Sequence, residues 1–429
     1  MEKIQLPKGT FDILPYGAEA PWQSSALWQF VEEICRKTAE AYGYQEIRTP
    51  IYERGELFDK GVGETSDIVT KEMFTFQDKG GSLMSLRPEG TSSVMRAFIE
   101  HHLAQLKPVH KFFYIGPMFR YERPQQGRYR QHHQFGVEAI GVSHPEQDAE
   151  TIDLLFQIYQ RLGLRHIKVH LNTVGDLPSR AAFRQALIDY LKPHFSQLSA
   201  ESQIRFEKNP LRILDSKDPQ DLELLQHAPS ILHFLSAPAK DHFQKLCDLL
   251  SLIHIPYAIN DKIVRGLDYY HQTVFECIAE DLGAQNTMGA GGRYDGLLAT
   301  FGGPDLPGVG WATGLERVLQ AMVAQNLSHP PRENLTVYFI PLGEAAKAKC
   351  FSLATLCRHH QIASDVELSA KKMQTALQNA SRLEATCCVI IGEDELRTGC
   401  AQLKHLAKRE QREVPFDHLI PAIQELQYV

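Results

Sequence analysis

The stretch MFRYERPQQGRYRQHHQFGVEAIG, residues 118 to 141, sets two strand-like runs on either side of a loop at Pro124 to Gly127, and Arg120, Arg123, Arg128 and Arg130 flank that loop. Two strands joined by so short a connection pair antiparallel. Guanidinium groups offer planar, forked donors that suit phosphate, so the hairpin reads as an anion site. Residues two apart on a strand share a face, which groups Arg120 with Glu122 and Arg128 with Arg130. A solvated, charged hairpin is the plainer alternative, because most surface arginines contribute little. Against it stand Gln134 and Glu138, which fall on the Arg120 face by even spacing inside an otherwise apolar strand. A carboxylate buried there unpaired would be costly or would neutralise, so a structural arginine or a polar ligand must satisfy it.

Toward the N-terminus, Leu27, Phe30, Val31, Ile34, Cys35 and Thr38 recur at helical spacing between Ser24 and Tyr42, and Gly43 follows as a stop. The next run, YQEIRTPIYE, alternates until Pro50, which predicts a strand that kinks or keeps to an edge. Short apolar runs at MFTF, LMSL, HKFFYIG and QFGVEAIG then predict an antiparallel sheet over the first 140 residues. Beyond it, 145 to about 165 reads as a helix, IKVHLNT as a strand, and about 177–253 as a helical insertion. Strand signals return at PYAIN and TVFECIA, and GAGGRYDGLLATFGGP leads to a helix starting near Gly314.

Residues 326–334, polar and holding Pro330 and Pro331, read as a linker between a catalytic-sized region 1–325 and a region 335–429. In the latter, VYFIPLG, IASDVEL and CCVIIG alternate with helical stretches, which predicts a small α/β domain with a mainly parallel sheet. The fold class expected is therefore an α+β domain on a mainly antiparallel sheet flanked by helices, with a helical insertion, followed by a small α/β domain.

The 429 residues exceed what one hydrophobic core usually serves, and 43% hydrophobic with 23% charged residues excludes a largely disordered chain. No apolar run approaches a membrane span, and the opening MEKIQLPKGTFDILP lacks a signal-peptide core, so a cytoplasmic, membrane-free protein is expected. Eight cysteines without a CxxC pair suit reduced thiols better than disulfides or zinc. With 45 basic against 52 acidic residues the net charge is −7, so contacts to RNA must come from local basic patches.

Three further motifs carry polar groups. In LRPEGT, residues 86 to 91, Arg87, Glu89 and Thr91 share a parity, and Pro88 argues for a strand end. In IVRGLDYYHQTVFE, Arg265 stands beside a glycine that permits close approach, followed by Tyr269 and Tyr270. GAGGRYDG and PGVGWATGLERVL, which hold Tyr294 and Arg317, have glycines that could pack against a flat ligand such as a nucleobase. Neither a GxGxxG fingerprint nor a GKS or GKT triplet is present, so nucleotide binding would use neither a Rossmann nor a P-loop fold.

In this order, the helix and strand ending at Pro50, FRYE with its arginine-bearing loop, and the glycine-rich strand running into GLER resemble motifs 1, 2 and 3 of the class II aminoacyl-tRNA synthetases. RPEGT, RGLDYY, AGGRYDGL and the insertion segment NPLRILDSK (209–217) resemble those of the histidyl-tRNA synthetase family, over nearly the whole chain. The resemblance implies that histidine is activated with ATP, accompanied by Mg2+, to histidyl-adenylate and pyrophosphate. Histidine then passes to the 3′ end of tRNA(His), with no zinc and no organic cofactor.

It implies Arg120, Arg265 and Arg317 as the catalytic cations, with Arg120 and Arg265 at the α-phosphate and Arg317 at the γ-phosphate. Glu122 would stand near adenine, and Arg128 and Arg130, with Gln125 and Gln126, would reach ATP phosphates or the tRNA acceptor end. Glu89, Thr91 and Gln134 would grip the α-ammonium of histidine, while Glu138, Tyr270 and Tyr294 surround its imidazole beside Tyr269 and Arg265. Preorganised cations stabilise charge growing on phosphate oxygens, and buried polar groups that need pairing reject apolar isosteres.

The same likeness places a homodimer interface at residues 24 to 50 and anticodon reading at 335–429. One departure is His132, where the family has phenylalanine, which touches only the local packing against adenine. The histidine-sensing regulatory subunit of ATP phosphoribosyltransferase shares this core, but it generally lacks the last domain and loses motif arginines that this chain keeps.

Overall fold

The computed structural model describes residues 4–63, 66–122, 127–263, 269–279, 287–327, 337–369 and 372–427. The chain forms two compact units, Met1–His329 and Pro330–Val429. Its strands in chain order begin with β1 (Gln45–Glu46), β2 (Tyr52–Arg54), β3 (Thr75–Gln77), β4 (Leu83–Leu86), β5 (His110–Phe119) and β6 (Gln131–Ile140). The first unit continues with β7 (Ile167–Thr173), β8 (Tyr257–Ile259), β9 (Thr273–Ala279), β10 (Thr287–Arg293) and β11 (Gly308–Gly314).

Eight of these form the main sheet in the order β1-β5-β6-β11-β10-β9-β7-β8. Pairing is antiparallel from β5 through β7, and only the edge strands β1 and β8 run parallel to their neighbours. The runs MFTF and LMSL lie elsewhere: β3 and β4 join β2 in a separate three-stranded sheet, so the single sheet expected over the first 140 residues is in fact two. Pro50 falls between β1 and β2 and marks the passage from one sheet to the other.

Strand alternation divides the main sheet into two unlike faces. On one, Phe135, Val137, Phe275, Cys277, Val309 and Trp311 meet the helices Ser25–Ala41, Pro145–Arg161, Ala237–Leu252 and Leu315–Ala324 in one apolar core. The amphipathic N-terminal helix thus buries Leu27, Val31, Cys35 and Ala39 where its period requires. On the other face β11 presents Gly308, Gly310, Ala312 and Gly314, and β10 presents Ala290 and Gly292, which leaves room above the sheet.

A buried ion pair ties the layers together. Arg293, at the end of β10, bonds Asp148 of the helix Pro145–Arg161 and the carbonyls of Val142 and His144. Thr273 and His242 also bond Asp148, at 2.6 and 2.8 Å. The arginine of GRYDG therefore holds the scaffold and is fully buried.

Within the insertion, Phe183, Leu187, Leu191, Ile213, Leu225 and Ile231 gather in their own cluster. The helix Ala237–Leu252 instead buries Phe243, Leu246 and Leu250 in the main core. Asp176 closes the neck, accepting from Ser179 N at 3.0 Å and from Ser236 Oγ at 2.6 Å.

In the second unit, β12 (Val337–Pro341), β13 (Ser364–Val366), β14 (Cys387–Ile391), β15 (Cys400–His405) and β16 (Glu410–Pro415) form a sheet in the order β13-β12-β14-β15-β16. The first three pair in parallel as expected, but β15 and β16 form an antiparallel hairpin, so this sheet is mixed rather than mainly parallel. Cys387 and Cys388 face opposite cores across β14. Among the described residues, no helix is long and apolar enough to cross a membrane.

Candidate active site

The cleared face of the main sheet carries two cavities. The larger, about 350 Å³, is lined by Arg120, Glu122, Arg128, His132 and Gln134 from the β5–β6 hairpin and by Glu316 and Arg317 from the start of the last helix of this unit. Asp215 and Lys217 reach it from the insertion, and Glu276 from β9. The smaller cavity, about 130 Å³, is lined by Glu89, Thr91, Tyr269, Tyr270, Tyr294 and Gly310, among others. Arg120, Gln134, Ala290 and Ala312 line both, so the two cavities adjoin, with Arg120 at their junction.

Among the described residues, the arginines of the larger cavity are fixed through part of each guanidinium only. Arg120 donates from Nε to the Pro88 carbonyl at 2.9 Å, while Arg317 donates to the carbonyls of Gly127 at 3.3 Å and Thr287 at 2.6 Å. Arg128 pairs with Glu122 at 2.9 Å. Burial, and then the charge of Arg128, holds Arg317 below its ordinary pKa, although Glu122 and Glu276 pull the other way. His132 sits among them as a neutral ring, pushed down to about 3 by burial and then by Arg120.

Chemistry of the opposite sign fills the smaller cavity. Glu89 accepts from the backbone N–H groups of Thr91 at 2.6 Å and Ser92 at 2.9 Å, at the start of the helix Thr91–Glu100. Glu138, only 1% exposed, stands in the wall behind Thr91 and Tyr294, whose hydroxyls donate to it at 2.7 and 2.5 Å. Burial pushes its carboxyl up to about 8, against the pull of those hydrogen bonds. Gly310 lies across from Glu138 in the β6–β11 register, and a side chain there would run into the carboxylate. Gln134 Oε1 is shut away from solvent with no partner among the described residues, an acceptor at the seam of the two cavities. Tyr269 packs against both Tyr270 and Tyr294, with ring centroids 4.8 and 5.9 Å apart.

Most of the residues expected from the sequence therefore converge. Arg265, with Arg123, Gln125 and Gln126, lies outside the described residues. Arg130 does not join them: its guanidinium stacks 3.8 Å above the Tyr121 ring instead of sharing a face with Arg128. The parity argument fails there because β6 begins only at Gln131, so Arg128 and Arg130 are not on a strand. Arg87 also serves the scaffold, donating to the carbonyls of Pro117 at 2.9 Å and Thr49 at 3.1 Å.

Glu276, Glu316, Asp215 and Lys217 were not foreseen as site residues. Glu276 carries the signal that singled out Glu138, a carboxylate in an apolar strand. Glu316 holds His133 through both its backbone N–H at 2.8 Å and its ring Nδ1 at 3.0 Å. The carboxylates of Glu276 and Asp215 are the hard oxygen donors that a magnesium ion carried in with a nucleotide would meet. Among the described residues, no group of three or more His, Cys, Asp or Glu could hold a metal ion by itself.

Comparison with known proteins fits this geometry. Residues 21–318 match the family described as Histidyl-tRNA synthetase, and residues 336–426 match that described as Anticodon binding domain. The histidine–tRNA ligase of Protochlamydia amoebophila (strain UWE25) is 54% identical over 421 residues, 98% of this chain and 99% of its own length. That of Anoxybacillus flavithermus (strain DSM 21510 / WK1) is 46% identical over 415 residues, 96% of each chain. Among solved structures, the apo histidyl-tRNA synthetase of S. aureus superposes with a TM-score of 0.84 at 34% identity, covering 98% of this chain and 100% of its own.

Proposed function

The chain belongs to the histidyl-tRNA synthetase family and is a histidine–tRNA ligase, and from that premise we propose which of its residues perform each step. Histidine occupies the smaller cavity and ATP, with its magnesium, the larger. The observation that carries this reading is their junction at Arg120, where a carboxylate from one side and an α-phosphate from the other would meet.

A histidine carboxylate oxygen attacks the α-phosphorus, the bond from that phosphorus to the bridging oxygen breaks, and pyrophosphate leaves. Arg120 stabilises the negative charge that builds on the equatorial oxygens, with Arg265 assigned beside it by sequence and Arg317 drawing on the far phosphates. Glu122 serves the adenine and Arg128 the phosphates. A hydroxyl of the terminal ribose of tRNA(His) then attacks the acyl carbon, and AMP departs.

Selection rests on pairing. Glu138 and the phenol of Tyr294 present complementary polar groups to the imidazole, beside the rings of Tyr269 and Tyr270. Glu89, Thr91 and Gln134 take the α-ammonium, for which the unpartnered Gln134 Oε1 is a ready acceptor. A side chain without ring nitrogens would lie against this polar wall and give Glu138 and Tyr294 no hydrogen bond beyond those they make with each other and with Thr91.

The reading extends to a catalytic domain over 1–325, in which the insertion's own core ends near residue 235, and to anticodon recognition by 335–429. It extends also to a cytoplasmic homodimer pairing through residues 24 to 50. Exposed apolar groups next to that segment, Ile51, Tyr52, Phe76 and Leu83, support such a surface. The regulatory-subunit alternative is not favoured, given the ligase relatives and a motif 2 and motif 3 arginine both lining the cavity. Charging of a tRNA(His) transcript with labelled histidine tests the second step: histidine ester-linked to the 3′ end is expected, and adenylate formation without any charging would contradict it.

A further inference from the structure

We infer that Lys217, carried by the helical insertion, binds the polyphosphate of ATP and of the departing pyrophosphate, an inference that rests on reading the larger cavity as the ATP site. Lys217 lines that cavity with Arg120, Arg128 and Arg317, although it belongs to a segment with a separate apolar core.

Its partners within the protein do not explain it. Arg128 has Glu122 and Arg317 has two carbonyls, but Lys217 is exposed and has no hydrogen bond or ion pair among the described residues. The cavity holds the carboxylates of Glu122, Asp215, Glu276 and Glu316 as well, yet among the described residues none of them pairs with Lys217, whose charge is left for an incoming anion.

The chain around it is nevertheless held in place. Ser216, the preceding residue, donates from Oγ to Asp221 Oδ2 at 2.6 Å, and Asp221 is fully buried. Asp221 also accepts from Ser199 N at 2.9 Å, Ser199 Oγ at 2.7 Å and Ser202 Oγ at 2.6 Å. These hydrogen bonds outweigh burial and keep its carboxyl below the ordinary value. Asp218, which follows, donates its N–H to Ser216 Oγ at 3.2 Å and caps the helix Pro219–Leu225 through Gln220 N at 2.9 Å. The backbone is anchored on both sides of Lys217 by groups other than its ammonium, so the residue is kept at the cavity wall without engaging its charge. A long, flexible, strongly hydrated point charge suits a phosphate that must first be gripped and then released.

The consequence is a bridge: with ATP bound, one phosphate chain joins a cation of the insertion to cations of the sheet. The test uses the full chain and histidine-dependent ATP–pyrophosphate exchange, with Lys217→Gln and Lys217→Arg beside the wild type. Lys217→Gln should raise the KM for ATP about tenfold. Its KM for histidine should stay within about twofold and its melting temperature should not move, while Lys217→Arg keeps most of the ATP affinity because the charge is retained.

An unchanged KM for ATP in Lys217→Gln overturns the inference, as does an equal rise in both KM values. A rise confined to the KM for tRNA would assign Lys217 to the tRNA backbone and overturn it as well. If the wild type itself shows no exchange, the ligase reading fails. Calorimetry with inorganic pyrophosphate then decides Lys217 alone, with about tenfold weaker binding by Lys217→Gln in its favour and equal binding against it.

Discussion

Gly310 on β11 lies directly across from Glu138 on β6, and a methyl group on Gly310 would stand 2.1 Å from Glu138 Oε2. The same methyl would come within 2.3 Å of the Val137 carbonyl oxygen, backbone that cannot step aside. Gly310→Ala should therefore displace the carboxylate and lower histidine affinity by about a hundredfold, at a stability cost of about 1–3 kcal/mol. The KM for ATP should change little. Calorimetry with histidine, beside a melting curve, checks both effects.

Glu138 also gives the ligand-free protein a pH signature. Its carboxyl moves from 4.5 to about 8 on folding, chiefly through burial. A group whose pKa rises on folding contributes fully below the unfolded value and loses that contribution as pH climbs through the folded one. Melting temperature should fall between about pH 4.5 and 8, and Glu138→Gln should flatten the slope. The same variant should cost at least about a hundredfold in kcat/KM for histidine, because an amide cannot release a proton and become the charged acceptor that a bound ring would draw out of the carboxyl.

His132 acts in the other direction. Its imidazole is pushed down from 6.5 to about 3, first by burial and then by Arg120, so its stabilising contribution is present above pH 6.5 and drains away as pH falls toward 3. His132→Phe should remove that acid sensitivity while keeping exchange within about threefold, since a neutral ring replaces a neutral ring. Melting curves between pH 4 and 7, paired with exchange rates, measure it.

Arg120 should separate chemistry from histidine binding. Among the described residues its guanidinium is engaged through Nε by the Pro88 carbonyl, at 2.9 Å, and it lines both cavities. Arg120→Ala should slow adenylate formation about a thousandfold and leave histidine binding by calorimetry within about threefold. Arg265→His should likewise abolish single-turnover activation with the melting curve intact, and near-normal activation would remove Arg265 from the chemistry.

Local order explains which parts of this molecule could be read from its sequence. The helix Ser25–Ala41, strand Ile167–Thr173 and helix Leu315–Ala324 follow from period, stop signals and apolar runs, all carried within each segment. The β15–β16 hairpin escaped because only Ala401, Leu403 and Val414 are buried in it, and its other positions read as a polar, charged stretch. Gln134 and Glu138 were visible because one strand carries them in regular alternation, and Arg120 because it directly follows β5 on the same hairpin. Arg130 misled because alternation was extended into a loop, where it has no meaning. Lys217 and Glu276 reach the same cavity from the insertion and from β9, and nothing in either segment alone says that the two converge.

The most direct test of the two adjoining cavities is amino-acid-dependent ATP–pyrophosphate exchange by the purified protein with magnesium, comparing histidine with the other standard amino acids. Exchange with histidine alone is expected, since only an imidazole pairs the buried groups around Glu138 while its carboxylate reaches Arg120. Absence of exchange while histidine still binds by calorimetry would contradict it, leaving a histidine-binding protein whose second cavity does not perform the activation chemistry.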